Sequence, residues 1–275
     1  MKKISVITIN YNNLEGLKQT IPSVLSQTYT DYEYIVVDGG STDGSKEYIE
    51  AQQGIDYWVS EKDKGIYNAM NKSVGFAHGE YCIFMNSGDH FFSAHSLAQV
   101  APELDGTDYC IGKMLAVDDK NNVKLVKTPQ TMSLRFLVKD SLPHQAMFIK
   151  TQLLRDCPYD ETYKIVADWN HFFGSWYLQK KSYKAIDTLV SVFYLDGLSS
   201  KNVEIVLAER ERVIHHILGD TSNYPELQEP KKSTQDCHTE YLGGKLRRAM
   251  ELKPLARDWK IMRNGIKAFF KDLFL

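Results

Sequence analysis

Short apolar runs alternate with helical patterns through the N-terminal part of the chain. The runs are rich in β-branched and aromatic residues, and they have the length of strands that a parallel sheet buries on both faces. They are Ile4–Ile9, Glu33–Val37, Tyr57–Val59 and Tyr81–Met85. Between the first two, Leu14, Leu17 and Ile21 recur at helical spacing, and Pro22 predicts a kink or break in that helix. The alternation predicts an α/β fold with a mostly parallel, doubly wound sheet.

The pattern changes after residue 100. Tyr109–Val117 and Val123–Thr128 are apolar runs separated by a short polar stretch, which predicts a hairpin and therefore antiparallel additions to the sheet. Val203–Leu218 then has the periodicity of a helix. We therefore predict a domain over residues 1–200 and a helical extension over residues 201–275.

Carboxylates stand where predicted strands end or helices begin. Asp38 and Asp89 follow buried strands, and Asp63 and Asp168 lie near the starts of helices. Ligands of open α/β sheets bind at the carboxyl ends of the strands. One carboxylate there can hold a metal–diphosphate complex while another takes a proton from a nucleophile. Each also has an ordinary explanation, since Asn86–Asp89 has the composition of a turn and Asp168 suits the first turn of a helix.

A loop with both acidic and basic side chains follows Tyr57–Val59. Asp63 and Lys64 precede a helix start, where a cation and backbone N–H groups can meet a phosphate, but a solvated loop with a capped helix fits these residues as well. His144, between a proline and an apolar run, either binds a ligand or makes structural hydrogen bonds. Neither a Gly-x-Gly-x-x-Gly motif nor a P-loop occurs, which argues against a nucleotidyltransferase of that kind.

The composition narrows the class of protein. With 43% hydrophobic residues the chain can bury a sizeable core, and its formal charge of -2 gives no reason to expect a nucleic acid partner. The 4 cysteines form no Cys-x-x-Cys pair, so neither a zinc site nor a disulfide framework is indicated. The first apolar run is too short for a signal peptide, and no run reaches the roughly 20 apolar residues of a membrane span. These features predict a cytoplasmic protein.

Several segments together resemble the family 2 glycosyltransferases. They are Ser5–Asn12, Ser23–Tyr29, Ile35–Gly44, Asp63–Lys72, Asn86–Asp89, His144–Gln145 and Ala167–Asp168. The resemblance covers residues 3–200, and residues 201–275 match no motif of the family. The subgroup that the chain most resembles makes bacterial surface polysaccharides such as O-antigen, capsule and colanic acid.

The resemblance implies a GT-A fold and an inverting, metal-dependent hexosyltransferase. The donor would be a nucleotide-diphosphate sugar, with UDP favoured, and the acceptor a hydroxyl of a glycan or a lipid-linked sugar. Asp168 matches the catalytic base, and Asp89 matches the last acidic position of a motif that binds Mn²⁺ or Mg²⁺. The residues expected to bind the donor are Ile9, Asn10, Asp38, Asp63, Lys64, Asn71, Asn86, Ser87 and His144. The alternative is a non-catalytic module of the same fold that binds a nucleotide sugar or glycan.

The chain departs from the family pattern at three positions. Gly39 stands where many relatives have a second Asp, so a contact to the nucleotide base is missing and the identity of the nucleotide is less certain. Asn86 replaces the first Asp of the metal motif, so a metal would depend on Asp89 and the donor phosphates. Ala167 replaces the Glu that precedes the base in many relatives.

The C-terminal segment differs in charge from the rest. Residues 245–275 carry nine Lys or Arg and three Asp or Glu, a charge of +6, which leaves -8 for residues 1–244. Residues 254–275 have the pattern of an amphipathic helix with a basic face, which either packs on the domain or lies in a membrane interface. The basic charge and a lipid-linked acceptor favour peripheral contact with the inner face of the cell membrane. The polar stretch Asp220–Cys237 before it predicts a linker.

Overall fold

Four parallel strands form the N-terminal half of the sheet. The computed structural model describes residues 2–195, 197–228 and 239–242 of the 275. The four strands are β1 (Ile4–Asn10), β2 (Tyr32–Asp38), β3 (Tyr57–Ser60) and β4 (Tyr81–Phe84). Strand β1 lies between β2 and β4, and β3 pairs with the outer edge of β2. All four carboxyl ends therefore meet at one edge of the sheet.

The second half of the sheet adds mainly antiparallel pairs. Its strands are β5 (His90–Phe91), β6 (Tyr109–Val117), β7 (Val123–Val126), β8 (Met147–Lys150), β9 (Tyr183–Tyr194) and β10 (Thr239–Leu242). The hairpin predicted for this region is formed by β6 and β7. Strand β8 runs antiparallel to both β4 and β6 and joins the two halves, while β9 runs parallel to β6 and antiparallel to β5. The predicted α/β class, with antiparallel additions to a parallel sheet, is confirmed.

Helices cover both faces of the sheet. They are α1 (Leu14–Leu25), α2 (Ser45–Glu50), α3 (Ile66–Val74), α4 (Ser96–Val100), α5 (Leu134–Lys139), α6 (Thr151–Asp156), α7 (Ala167–Tyr177), α8 (Leu198–Lys201), α9 (Val203–Leu218) and α10 (Pro225–Gln228). Helix α1 continues through Pro22 without the break that its sequence suggested. Pro22 has no N–H to bond the carbonyl of Lys18, and only one further turn of α1 follows it.

Two hydrophobic cores result from the alternation of side chains along the central strands. In β1, Ile7 and Ile9 face a core that includes α3, α7 and α9, whereas Ile4 and Val6 face a second core that includes α1 and α4. Strand β1 is buried over its whole length. Burial on both faces explains why β1 is almost continuously apolar in the sequence. The polar residue Asn10 lies at its carboxyl end.

Helix α9 belongs to the first of these cores. Val213 is completely buried and Leu218 nearly so, although both lie beyond residue 200. The first part of the predicted linker is structured, because Tyr224 and Leu227 pack on this core and Pro225–Gln228 is helical. No helix in the described part of the chain has the length and apolar character needed to cross a bilayer. The predicted membrane-binding segment 254–275 lies outside the described residues.

Candidate active site

A cleft of about 2360 Å³ opens at the carboxyl ends of the parallel strands and extends to the start of α7. Most of the residues singled out in the sequence line it. They are Ile9, Asn10, Asp63, Lys64, Asn86, Ser87, Asp89, His144 and Asp168. Asp38 and Asn71 do not line the cleft. The sheet thus brings together side chains that are far apart in the sequence, as its parallel topology requires.

Asp38 lies behind the wall of the cleft and is completely buried. Its carboxylate accepts hydrogen bonds from Asn10 Nδ2 at 2.7 Å, from Ser60 Oγ at 2.6 Å, and from both Oγ and the backbone N of Ser41 at 2.5 and 2.9 Å. Burial raises the pKa of Asp38, but the bonds from Ser41, Ser60 and Asn10 outweigh burial and lower it. In this arrangement the carboxylate ties β1, β2 and β3 together, and the contact with the donor stays a prediction.

Asn71 also lies outside the cleft, where its side chain bonds the backbone of Tyr159. Its Nδ2 donates to the carbonyl of Tyr159 at 2.9 Å and its Oδ1 accepts from the backbone N of Tyr159 at 2.9 Å. Nδ2 also lies 2.9 Å from Glu161 Oε1. Asn71 therefore fixes the loop before α7 to α3, and its predicted contact with the donor stays a prediction.

The Asp63 carboxylate lies beside Gly39 at the cleft wall, in the space that a side chain at position 39 would enter. A Cβ atom built on Gly39 would lie 2.5 Å from Asp63 Oδ2, which is closer than real Cβ contacts allow. The Asp63 carboxylate from the β3–α3 loop thus occupies space next to β2 where many relatives carry a second Asp side chain. The sequence indicated a lost carboxylate at this place, whereas the fold supplies one from another segment.

The turn after β4 presents oxygen atoms to the cleft. The backbone N of Asp89 donates to the carbonyl of Asn86 at 2.9 Å, and Thr20 Oγ1 donates to the Asp89 carbonyl at 2.6 Å. Asp89 is only 6% exposed, and Asn86 Oδ1 is buried with no hydrogen-bond partner among the described residues. Carboxylate and amide oxygens suit Mg²⁺ or Mn²⁺. No group of three or more acidic, His or Cys side chains that could hold a metal alone occurs in the described ranges, so substrate oxygens would have to complete the coordination.

Asp168 is the second residue of α7 and is half-buried at the cleft. The single hydroxyl hydrogen of Tyr67 in α3 is shared between Asp168 Oδ1, 2.8 Å from the hydroxyl oxygen, and the carbonyl of Ile165, at 2.5 Å. Burial, and then the charge of Asp168, raise the pKa of Tyr67 well above its usual value, so the phenol stays protonated and remains a donor. Tyr67 was not among the predicted site residues, although it lies within the segment Asp63–Lys72 that resembles the family.

His144 has the environment of a structural residue. It is 8% exposed, its ring stacks on Phe84 with centroids 5.6 Å apart, and its Nε2 lies 3.3 Å from the Tyr159 hydroxyl. Burial lowers the pKa of His144, and the nearby charge of Asp168 only partly opposes this. The imidazole is therefore neutral at pH 7 and offers no positive charge to a diphosphate.

Comparison with known families gives a match over the region that forms this cleft. The family model described as "Glycosyl transferase family 2" matches residues 5–171, more than half of the chain. An uncharacterised glycosyltransferase of Mycobacterium tuberculosis (strain CDC 1551 / Oshkosh) is 37% identical over 172 residues, which are 60% of this chain and 65% of that protein. The chain thus spans slightly less than two thirds of this relative's length.

Two further similarities concern a shorter segment and the fold. A Bacillus subtilis (strain 168) glycosyltransferase, TuaG, proposed to act in teichuronic acid biosynthesis is 36% identical over 90 residues, or 31% of this chain and 36% of that protein. The structure of Staphylococcus aureus TarS residues 1–349 in complex with UDP-GlcNAc superposes with a TM-score of 0.58 and 19% identity, covering 81% of this chain and 73% of that one. At this identity the likeness shows the shared fold.

Proposed function

Because the chain belongs to glycosyl transferase family 2, we propose that it transfers a hexose from a nucleotide-diphosphate sugar to a hydroxyl of a glycan or lipid-linked acceptor. The proposed donor is a UDP-sugar, and the proposed outcome is inversion at the anomeric carbon. The resemblance to enzymes of bacterial surface polysaccharide synthesis supports this assignment. The TarS neighbour, solved with UDP-GlcNAc, and the relationship to a glycosyltransferase proposed for teichuronic acid synthesis also support it.

The observation that carries the proposal is the position of Asp168. Its Oδ1 is held by Tyr67, whereas Oδ2 has no hydrogen-bond partner among the described residues, and the side chain lines the same cleft as Asp89. A carboxylate with one oxygen fixed and the other available can accept a proton from an acceptor hydroxyl. We assign Asp168 as the general base on this ground.

The reaction that follows is a single displacement. Asp168 takes the proton of the acceptor hydroxyl, the hydroxyl oxygen forms a bond to the anomeric carbon, and the bond from that carbon to the diphosphate oxygen breaks. The nucleoside diphosphate leaves with both electrons of that bond. Holding the acceptor oxygen and the anomeric carbon in line accounts for a large part of such rate enhancements.

Donor binding is assigned to the opposite part of the cleft. Asp63, beside Gly39, is suited to accept a hydrogen bond from a nucleobase N–H, and Lys64, which also lines the cleft, supplies a positive charge. Asp89 and Asn86 would hold Mn²⁺ or Mg²⁺. When bound, such an ion neutralises developing charge on the departing diphosphate.

The test is a screen of nucleotide sugars with Mn²⁺ for release of nucleoside diphosphate. The panel contains UDP-glucose, UDP-galactose, UDP-N-acetylglucosamine and GDP-mannose. We expect turnover with a UDP-sugar. Asp168→Asn should lower kcat by about 10² to 10⁴ and leave the donor Kd from calorimetry near that of the unchanged chain, since a general base acts in the chemical step.

Two results would contradict this assignment. A donor affinity that collapses in Asp168→Asn would make Asp168 a binding residue. Tight binding of a UDP-sugar by the unchanged chain, with no release of UDP in the presence of acceptor extracts, would instead favour the non-catalytic binding module.

Residues 254–275 support a proposed location at the cytoplasmic face of the cell membrane. This part of the proposal rests on the sequence pattern and on the +6 charge of residues 245–275. Flotation with anionic liposomes, comparing the full chain with one that ends near residue 244, tests it. We expect only the full chain to float, and equal behaviour of the two forms would exclude this segment as the anchor.

A further inference from the structure

Helix α9 lies outside the region matched by the family model and carries two neighbouring charged residues that point into the protein. Glu209 is 8% exposed, and Arg210 is half-buried. A buried carboxylate is costly unless its oxygens are well paired, so the partners of Glu209 indicate why it is there.

The Glu209 carboxylate accepts from three consecutive backbone N–H groups. Oε1 lies 2.7 Å from the N of Lys164, and Oε2 lies 3.0 and 3.3 Å from the N atoms of Ile165 and Val166. Val166 directly precedes α7, and Asp168 is the second residue of that helix. Backbone donors at a helix start have no partner within the helix, and charge-assisted bonds to them are strong. Glu209 therefore fixes the course of the chain that leads into Asp168.

The same short segment is held from the opposite side by Tyr67. The Tyr67 hydroxyl bonds both the carbonyl of Ile165 and the Asp168 carboxylate. Ile165 thus has its N–H bound to Glu209 and its carbonyl bound to Tyr67. With the backbone held on both sides, the direction of the Asp168 side chain depends on α9 as well as on α3.

Arg210 extends this support to the residue after Asp168 and to the wall of the cleft. Its guanidinium donates to the carbonyls of Leu137, Val138 and Asp140 and to Ser141 Oγ, at 2.6 to 3.3 Å. It also lies 4.4 Å from the ring centroid of Trp169, whose Nε1 donates to the carbonyl of Leu137 at 3.1 Å. One helix turn thus braces both the loop after α5 and the start of α7.

We propose that Glu209, supported by Arg210, is a positioning residue that holds the Asp168 carboxylate in the geometry needed to take a proton from the acceptor. These two residues then support the catalytic base although they lie beyond the family region. This inference rests on the proposed role of Asp168 as general base. A misplacement of a catalytic group by about 1 Å can lower a rate roughly 10²-fold, so loss of this anchor has a measurable effect on turnover.

The experiment compares full-length variants at a temperature well below all of their unfolding midpoints, using the best donor of the screen with Mn²⁺. We expect Glu209→Ala to lower kcat by roughly 10- to 100-fold, with the KM for the donor changed by about twofold or less. Glu209→Gln retains one acceptor oxygen, so it should recover much of the lost kcat. It also gives a readout if the alanine variant does not fold.

A matched control separates positioning from a general loss of stability. Val213 lies one turn further along α9 and is completely buried in the same hydrophobic core. We expect Val213→Ala to lower the unfolding midpoint while leaving kcat within about twofold of the unchanged chain. An equal loss of kcat in Val213→Ala and Glu209→Ala would overturn the proposal.

A double variant tests whether Glu209 acts through Asp168. If it does, Glu209→Ala combined with Asp168→Asn should be no slower than Asp168→Asn alone, because a base that is already absent cannot be misplaced. Losses that multiply would show an independent role and overturn the inference. Unchanged turnover in Asp168→Asn alone would overturn the proposed base, and this inference with it.

Discussion

The two sides of the cleft are held by different kinds of contact. On the donor side, the buried carboxylate of Asp38 bonds to Asn10 and Ser60, and these residues are its register partners on the two adjacent strands. On the base side, Asp168 depends on Tyr67, which is 101 residues away in the sequence, and on Glu209 acting through the backbone before α7. The sheet itself sets the first geometry, whereas a few single side chains set the second. We therefore expect substitutions on the two sides to affect different steps.

The largest effect is expected on the donor side. Asp89→Ala removes the carboxylate assigned to the metal, so activity should fall by at least about 10³-fold and no longer respond to Mn²⁺, since a metal contributes several kcal/mol to stabilising the leaving group. Titration of turnover against Mn²⁺, with donor binding by calorimetry, measures both changes. Full turnover of the unchanged chain in excess chelator would contradict the metal assignment.

A smaller effect is expected on the free energy of unfolding, which should depend on pH differently for the base side and the donor side. Burial lowers the pKa of His171, a buried residue of α7, from 6.5 to about 4, and the neutral ring accepts from the Tyr109 hydroxyl and donates to the carbonyl of Cys157. Between these pH values the unfolded chain binds a proton that the folded chain does not. Stability should therefore be full above pH 6.5 and fall by roughly 3 kcal/mol as the pH drops towards 4.

Urea unfolding at pH 7, 5.5 and 4.5 measures this loss. His171→Gln keeps a donor for Cys157 and does not titrate, so its stability should depend less on pH over that range. The pKa of Asp38 on the donor side is lowered instead, and its contribution is lost only below the normal carboxyl range, near pH 4. If the free energy of unfolding falls equally between pH 6.5 and 4.5 in the unchanged chain and in His171→Gln, His171 is not the source of the pH dependence.

The smallest effect concerns the hydroxyl that orients the base. Tyr67→Phe removes the bonds to Asp168 and Ile165 while keeping the buried ring, so kcat should fall by about tenfold and the free energy of unfolding by about 1 kcal/mol. Donor Kd should not change, because Asp63 and Asp89 are untouched. Steady-state kinetics with calorimetry provide the check, and a change in Kd without a change in kcat would place Tyr67 on the donor side.

The sequence predicted the donor side of the fold more fully than the base side. Buried parallel strands leave continuous apolar runs, so β1, β2 and β4 and the polar residues after them could be located directly. The burial of Asp38 could not be predicted from the sequence, because it depends on which residues of β1 and β3 pair with Asp38 in the sheet. The full length of β9, Tyr183–Tyr194, could not be located in the same way, since its first half is only partly buried and carries polar residues.

The base side illustrates what pattern analysis omits. The helix Val203–Leu218 was predicted with the bounds that the structure has. Its periodicity does not reveal that Glu209 and Arg210 turn inwards, because charged residues on an amphipathic helix usually face solvent. Their backbone partners are defined only when α9 packs against the α5 and α7 regions. Long-range bonds from single side chains to backbone groups leave no periodic signal.

The close approach of the Asp63 carboxylate to Gly39 has a consequence for how related sequences can vary. Because a Cβ at position 39 would lie 2.5 Å from the Asp63 carboxylate, the chain can carry an acidic side chain at both places only if the Asp63 side chain moves. Substitutions at these positions should therefore be linked during evolution. Relatives with Asp in place of Gly39 are expected to have lost the acid at the position of Asp63, and relatives that keep that acid to have retained the glycine. A carboxylate at the cleft wall would then have moved from the end of β2 to the neighbouring loop through paired substitutions at positions 39 and 63.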